Sequence, residues 1–245
     1  IISCCTPIDF AGITYIIINI AFYPFEMRYY MTRNFLKRLI ILHIGLFLYS
    51  LGIALSLKAQ IGYAPWEVLH VGMAKTFGMS IGEISIIVGF LILLVTAYCG
   101  EDIGIGTISN MIVIGLVLDL ILYLDFLPVA GNMFFGLLML ITGLFTIALG
   151  SYFYIASAFG AGPRDGLMVL LTRKTGLPIG VCRGAIELTA VVIGWYLGGL
   201  VGIGTVVSAF MIGFCVQITF KLLRFDPTKI HHERLQETYK SFRRK

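Results

Sequence analysis

Charge is what this sequence has least of. Only 13% of its 245 residues are Asp, Glu, Lys or Arg, about half the share of an ordinary soluble domain. Apolar residues make up 58%, and the mean hydropathy is +0.94. A water-soluble fold of this length has no interior large enough to hide that much apolar surface, which excludes a soluble enzyme. Disorder and collagen-like repetition are excluded by the same composition. Cysteine chemistry is missing too. Cys4, Cys5, Cys99, Cys182 and Cys215 form no CxxC pair and have no histidine at metal-ligand spacing. They read as small apolar side chains, with neither a disulfide framework nor a metal expected. No HExxH, GxSxG, phosphate loop or dinucleotide fingerprint occurs, so neither an enzyme nor a cofactor is expected.

What is present is a series of long apolar runs. Six of them cover about Leu39–Leu57, Ile81–Tyr98, Thr107–Leu124, Met133–Ile155, Ile179–Leu197 and Thr205–Leu223. Each is close to the 17–25 residues that a helix needs to cross a bilayer. Ser80-Ile81-Gly82-Glu83 has the form of a capping box opening the second run, and Thr107 and Thr205 are candidate N-caps for the third and sixth. With six spans and a cytoplasmic N-terminus, 16 of the 18 Lys and Arg residues fall on the cytoplasmic side; only Lys58 and Lys75 fall outside. This is the positive-inside pattern. The net charge of +5 is therefore explained by topology, and no nucleic-acid partner is expected. The expected partners are the lipid bilayer and a small solute, and the sequence does not specify an oligomeric state.

Three regions follow. Residues 1–26 form an atypical leader with a short apolar stretch, about Phe10 to Phe25, broken by Asn19 and Pro24. It has no basic flank and no small-residue cleavage site. Met27 and Met31 precede the basic lead-in to the first span, and the expectation is that translation starts at one of them. Residues 27–224 form one integral membrane domain. Residues 225–245 are a basic tail, expected to be cytoplasmic, with attraction to anionic lipid as a secondary effect.

The membrane domain repeats itself. Shifting residues 51–120 by 98 places them on 149–218 without a gap; 17 of the 70 pairs are identical, 8 of them glycine. Scattered identities arise from shared apolar composition, but two matching turns at one constant offset do not. Gly104-Ile105-Gly106-Thr107 matches Gly202-Ile203-Gly204-Thr205, and Gly62/Gly160, Pro65/Pro163 and Gly78/Gly176 pair at the same offset. Repeat one covers about 39–124 and repeat two about 133–223. Each holds three spans and one short element. Because three is odd, the second copy enters the membrane from the opposite face, as in many secondary transporters. If the short elements also cross, each half has four spans and the copies are parallel. The expected fold is thus an all-α polytopic membrane protein: about six transmembrane helices in two inverted repeats of three, each repeat with a short, Pro-initiated, broken or re-entrant helix.

The short elements carry the candidate site. Pro65 and Pro163 fit the first turn of a helix, and Gly78 and Gly176 fit its end. The piece between is about 12 residues, roughly 18 Å at the helical rise, too short for a hydrocarbon core of about 30 Å. The N-terminus of such a piece offers free N–H groups and partial positive charge to an anionic group. Substrate-binding candidates are therefore Pro65, Trp66 and Glu67 in the first copy, and Gly160, Gly162, Pro163, Arg164 and Asp165 in the second. Arg164 reads two ways: as a fork for carboxylate or phosphate, or as a fold-holding partner of Asp165, Asp119 or Glu187. Trp66 is either a solute contact or an interface anchor. Glu187 and Asp119 are acids within spans and candidates for proton or ion coupling, against an Arg183–Glu187 pair that only packs and an Asp119 that snorkels. His43 reads as an interfacial or a hydrogen-bonded, satisfied histidine. The GIGT glycines read mainly as close-packing positions.

These residues also carry a resemblance. Gly62-Tyr63-Ala64-Pro65-Trp66-Glu67-Val68-Leu69-His70 resembles the GxxPWDVLH segment of the YczE/YitT-type bacterial integral membrane proteins, nearest the YczE-like branch. Gly160-Ala161-Gly162-Pro163-Arg164-Asp165-Gly166-Leu167-Met168 resembles that branch's most distinctive segment. Ile186-Glu187-Leu188, Gly194-Trp195 and the GIGT pair fit as well. The likeness covers about Arg33 to Arg224, and Glu67 stands where Asp is usual. The resemblance implies a multi-span protein of the bacterial cytoplasmic membrane and implies no particular activity. From the residues themselves, the leading expectation is transport of a small anionic or zwitterionic solute. The alternatives are a non-transporting scaffold or regulator, and a solute-binding subunit of a larger transporter.

Overall fold

The computed structural model describes residues 35–101, 103–227 and 230. The leader, the two candidate start methionines and nearly all of the basic tail lie outside the described residues. Those that are described contain eight α-helices and no strand. They are α1 (Phe35–Lys58), α2 (Pro65–Phe77), α3 (Ile81–Tyr98), α4 (Ile105–Leu124), α5 (Met133–Ala156), α6 (Pro163–Thr175), α7 (Ile179–Tyr196) and α8 (Ile203–Leu222). Six are long and apolar enough to cross a membrane; α2 and α6, at 13 residues each, are not among them. The chain is an all-α, multi-pass membrane protein. Adding 98 to the limits of α1, α2, α3 and α4 gives the limits of α5, α6, α7 and α8.

The centre of the molecule is the pair α1 and α5. Gly45 packs on Gly150 and Gly52 on Gly143, while Gly136 meets the carbonyl of Ala59. Positions rise along one helix as they fall along the other, so the two run antiparallel. Small residues let the backbones approach closely, which drives helix association where lipid removes the usual hydrophobic force. Leu42, Leu46, Leu140 and Leu144 are buried in the same region. Around this pair the halves exchange partners: α2 packs on α7, and α3 on α6. The outer faces of α3, α4, α7 and α8 carry exposed Leu, Ile, Val and Phe side chains, as lipid contact requires.

Local sequence explains the helix limits. Ser80 accepts from the Glu83 N–H at 3.0 Å while the Glu83 carboxylate accepts from the Ser80 N–H at 2.9 Å, the expected capping box. Gly78 and Gly176 end α2 and α6 in the left-handed conformation, at φ 69° and 70°. Two expectations need correction. Thr107 and Thr205 are not N-caps. Gly104 and Gly202 hold those positions, and each threonine, three residues on, accepts from the cap N–H through its hydroxyl (3.2 and 3.1 Å). The first helix begins a turn before the expected Leu39, because Arg38 is not a solvated lead-in. Its side chain is buried, with Nε donating to the Ser157 carbonyl at 2.9 Å and the guanidinium 4.2 Å from the Phe159 ring centre.

The GIGT turns dock the halves together. The Gly106 N–H donates to Phe159 O and the Gly204 N–H to Ile61 O, both at 2.8 Å. Gly160 sits against Gly104, and Gly62 against Gly202. The α7–α8 connection then follows α2: Gly198 accepts from Lys75 Nζ, Gly199 lies beside Val68, and Leu200 accepts from the Tyr63 N–H.

Candidate functional site: a cavity shared by both halves

α2 and α6 begin beside the same cavity. Each has proline at its first position, preceded by Ala64 or Gly162 in extended conformation, and no side chain caps either start. Two partly positive helix ends therefore meet the cavity. Its volume is about 140 Å³, similar to a cavity that holds one benzene-sized molecule. Every helix contributes to the wall, and most lining positions come in pairs 98 residues apart. Pro65 and Pro163, Trp66 and Arg164, Glu67 and Asp165, Ser85 and Arg183, Asn110 and Ser208, and Ile114 and Ile212 all line it. The cavity lies where the two copies meet.

The paired positions differ in charge. Two guanidinium groups, Arg164 and Arg183, and three carboxyl groups, Glu67, Asp165 and Glu187, share the wall. The second copy supplies all but one of them. Arg164 lies with its guanidinium carbon 4.7 Å from the Trp66 ring centre, and one nitrogen is 3.9 Å from Glu67 Oε1. Stacking holds the fork in place, while the long ion pair leaves it geometrically available to another anion. Asp165 accepts from the Tyr154 hydroxyl at 2.6 Å, and Tyr49 meets the Tyr154 ring edge-on. Arg183 Nε donates to Glu187 Oε1 at 2.7 Å, one helical turn away.

Eight of the ten residues singled out in the sequence line this cavity: Pro65, Trp66, Glu67, Gly162, Pro163, Arg164, Asp165 and Glu187. Gly160 does not; it is packed on Gly104 just before the α6 start. Asp119 is also elsewhere, accepting from the Ser80 hydroxyl and, at 2.8 Å, from the Gly82 N–H. The ion-pair partner of Arg164 is Glu67, in the other copy, rather than Asp165, Asp119 or Glu187. Trp66 is a wall of the cavity. His43 bonds within its own turn, Nδ1 to the Leu39 carbonyl at 2.8 Å.

Among the wall residues that escaped the sequence reading, Tyr49, Tyr154 and His70 stand out. Tyr49 and Tyr154 sit within long apolar runs, where an aromatic residue reads as core. His70 is 2% exposed, lines the cavity one turn beyond Trp66, and its Nε2 has no hydrogen-bond partner among the described residues. A histidine three residues after an acid in a Pro-started helix, Glu67 to His70, was the available signal.

Comparison with known proteins places the chain. The uncharacterized membrane protein YczE of Bacillus subtilis (strain 168) is 32% identical over 177 residues, 71% of this chain and 81% of that protein. An uncharacterized protein of Haemophilus influenzae is 33% identical over 187 residues, 76% of this chain and 85% of its own length. The uncharacterized protein YyaS of Bacillus subtilis is 26% identical over 178 residues. No solved structure matches the chain. Residues 36–221, which contain all but the first residue of α1 and the last of α8, match the model of a family of unknown function, DUF6198, and the chain belongs to that YczE-like family of membrane proteins.

Proposed function

We propose that this protein carries a small anionic or zwitterionic solute across the bacterial cytoplasmic membrane, with both termini cytoplasmic, and that its two halves are inverted copies of one unit. The observation that carries the reading is the cavity shared by the two copies, where two uncapped helix starts meet Arg164. Broken helices at a repeat interface form the solute sites of many transporters. The antiparallel α1–α5 pair supports inversion, since equivalent helices then run in opposite directions.

A zwitterion suits the wall best. Its anionic end faces Arg164 and the α6 start; its cationic end faces Glu67 and Asp165, which together with Glu187 outnumber the two arginines by one carboxyl group. Glu187 is the coupling candidate that borders the cavity, since releasing it from Arg183 frees a carboxylate to take a proton. Asp119 has no such access and is assigned no coupling role.

Reconstituted vesicles test the proposal. A panel of small zwitterions and anions is screened for flux, and the wild type is compared with Arg164→Ala and Glu187→Gln. Loss of flux in Arg164→Ala, by at least tenfold, is expected. Equal flux of a verified solute in both variants removes the mechanism. Absence of flux for every member of a broad panel favours the scaffold reading, for which the intact Arg183–Glu187 pair is the supporting observation.

A further inference from the structure

The two halves match at every helix limit but not at every seam. In the first half α3 packs along α4. A methyl group added at Gly82 would strike the Gly115 carbonyl and the Asp119 carboxylate, and one added at Gly115 would strike Ile86 and the Gly82 carbonyl. Asp119 fastens this seam by accepting from the Gly82 N–H and the Ser80 hydroxyl. The equivalents 98 residues on are Gly180, Gly213 and Gln217. There α7 barely touches α8. A methyl group at Gly180, Gly184 or Gly213 would meet nothing within 4 Å. Gln217 is exposed, and its side chain has no hydrogen-bond partner among the described residues.

From this asymmetry we infer that Asp119 and Gln217 are alternating latches, and that the chain has a second conformation in which the α7–α8 seam closes and the α3–α4 seam opens. The occupant of the empty α7 face is the chain's own α8, because the first copy holds the same glycines in contact. On closing, Gly180 meets Gly213 and the Gln217 side-chain oxygen accepts from the Gly180 N–H, as Asp119 does from Gly82 now. On opening, Asp119 releases Gly82 and Ser80. The helices that move are already grouped: α7 is held to α2 by the Gly72–Gly194 contact, and α3 packs on α6. α2 and α6 carry the cavity starts, so exchanging seams shifts Trp66–Glu67 against Arg164–Asp165. Both seams border the cavity through Ser85, Gly89, Asn110 and Met111 on one side and Arg183, Glu187, Ser208 and Ile212 on the other. The purpose of the device rests on the transport proposal, but its existence is tested without any solute.

Spin-label pairs at equivalent exposed positions read the two seams. Ile87→Cys with Leu116→Cys reports on α3–α4, and Ala185→Cys with Phe214→Cys on α7–α8. The background is the full chain with its five native cysteines replaced by alanine, in lipid nanodiscs. Two populations are expected at each pair, a packed and an open distance, with complementary occupancies. Asp119→Ala is expected to enlarge the packed population at Ala185/Phe214 and shrink it at Ile87/Leu116. Gly180→Leu places a side chain in space that is empty now, so the chain folds as before, and the packed population at Ala185/Phe214 is lost. A single open distance at Ala185/Phe214 in both the wild type and Asp119→Ala overturns the inference. So do distances that Gly180→Leu leaves unchanged. Exchange of the two populations without flux of any solute upholds the inference while the transport proposal fails.

Discussion

At the residue scale, Asp165 is tied to the cavity wall by the hydroxyl of Tyr154. Tyr154 is 5% exposed and donates its only hydrogen to Asp165 at 2.6 Å. Tyr154→Phe keeps the ring and removes that bond. A hydrogen bond to a charged group contributes about 1.5–3 kcal/mol, so the variant is expected to lose stability of that order in thermal unfolding of the detergent-solubilised protein. Gly160 gives a sharper case. Its φ is 125°, and an added methyl group would lie 2.8 Å from Thr107 Oγ1. Gly176 has φ 70° and open space. Gly160→Ala is therefore expected to cost several kcal/mol, and Gly176→Ala only about 1 kcal/mol of backbone strain; equal losses would show that the inter-half contact at Gly160 is dispensable. Much of the site was legible because its residues mark a helix start. A proline with an acid two residues on suits the first turn of a helix and little else, and Arg164 is conspicuous in an apolar chain. Tyr49, His70 and Tyr154 were not legible, because nothing local to an aromatic residue in an apolar run says that it faces a cavity. The partner of Arg164 was misread for a related reason. Sequence distance favours Asp165, whereas the exchange of α2 and α6 between halves brings Glu67 across.

At the element scale, the repeat allowed the limits of one half to be read from the other, and all four helix pairs agree at the 98-residue offset. The errors lie at helix starts. Hydropathy alone trims a buried arginine such as Arg38 off a span, and a threonine in GIGT serves its cap from three residues inside the helix rather than from the cap position. The α3 start shows what caps do here. Ser80 accepts from the Glu83 N–H and also donates to Asp119. Ser80→Ala removes both bonds and leaves Asp119 with the Gly82 N–H. The expected loss is about 1–2 kcal/mol, near the upper end for N-cap replacement, measured by thermal unfolding. Pro178 occupies the equivalent position before α7 and provides no hydroxyl, so the second copy lacks this fastening altogether. That difference lies on the same seam as the open glycines Gly180 and Gly213. Gly52→Leu, in contrast, drives a side chain into the Gly143 carbonyl and Ile147 in the central α1–α5 pair, and its expected result is loss of folded protein in membrane extraction.

At the scale of the whole molecule, the question is which way each end faces. Two equivalent contacts mark the ends. Lys75 Nζ donates to the Gly198 carbonyl at 2.9 Å, after α7, and Arg173 donates to the Cys99 carbonyl at 3.0 Å, after α3. Lys58 pairs with Asp125 between the end of α1 and the end of α4. These links sort the connections into two sets. The α1–α2, α2–α3, α4–α5 and α7–α8 connections belong to one, with Lys58 and Lys75. The α3–α4, α5–α6 and α6–α7 connections belong to the other, with Arg173 and Lys174. Lys221 and Arg224 follow at the end of α8, which starts in the first set and runs away from it. The basic residues thus gather at one end, and the proposed orientation, with both termini cytoplasmic, puts that end on the cytoplasmic side, as the positive-inside rule expects. Met79 and Leu177 occupy matching exposed positions in the α2–α3 and α6–α7 turns. In a cysteine-free background, Met79→Cys is expected to react with a membrane-impermeant maleimide added outside intact cells. Leu177→Cys is expected to react only after the cytoplasmic face is opened. Inverted copies require that split, because a repeat with three spans carries its equivalent turn to the opposite side. Labelling of both positions from one side would make the copies parallel. It would also require α2 and α6 to cross the bilayer, which 13 residues at about 1.5 Å each cannot do across a core of about 30 Å.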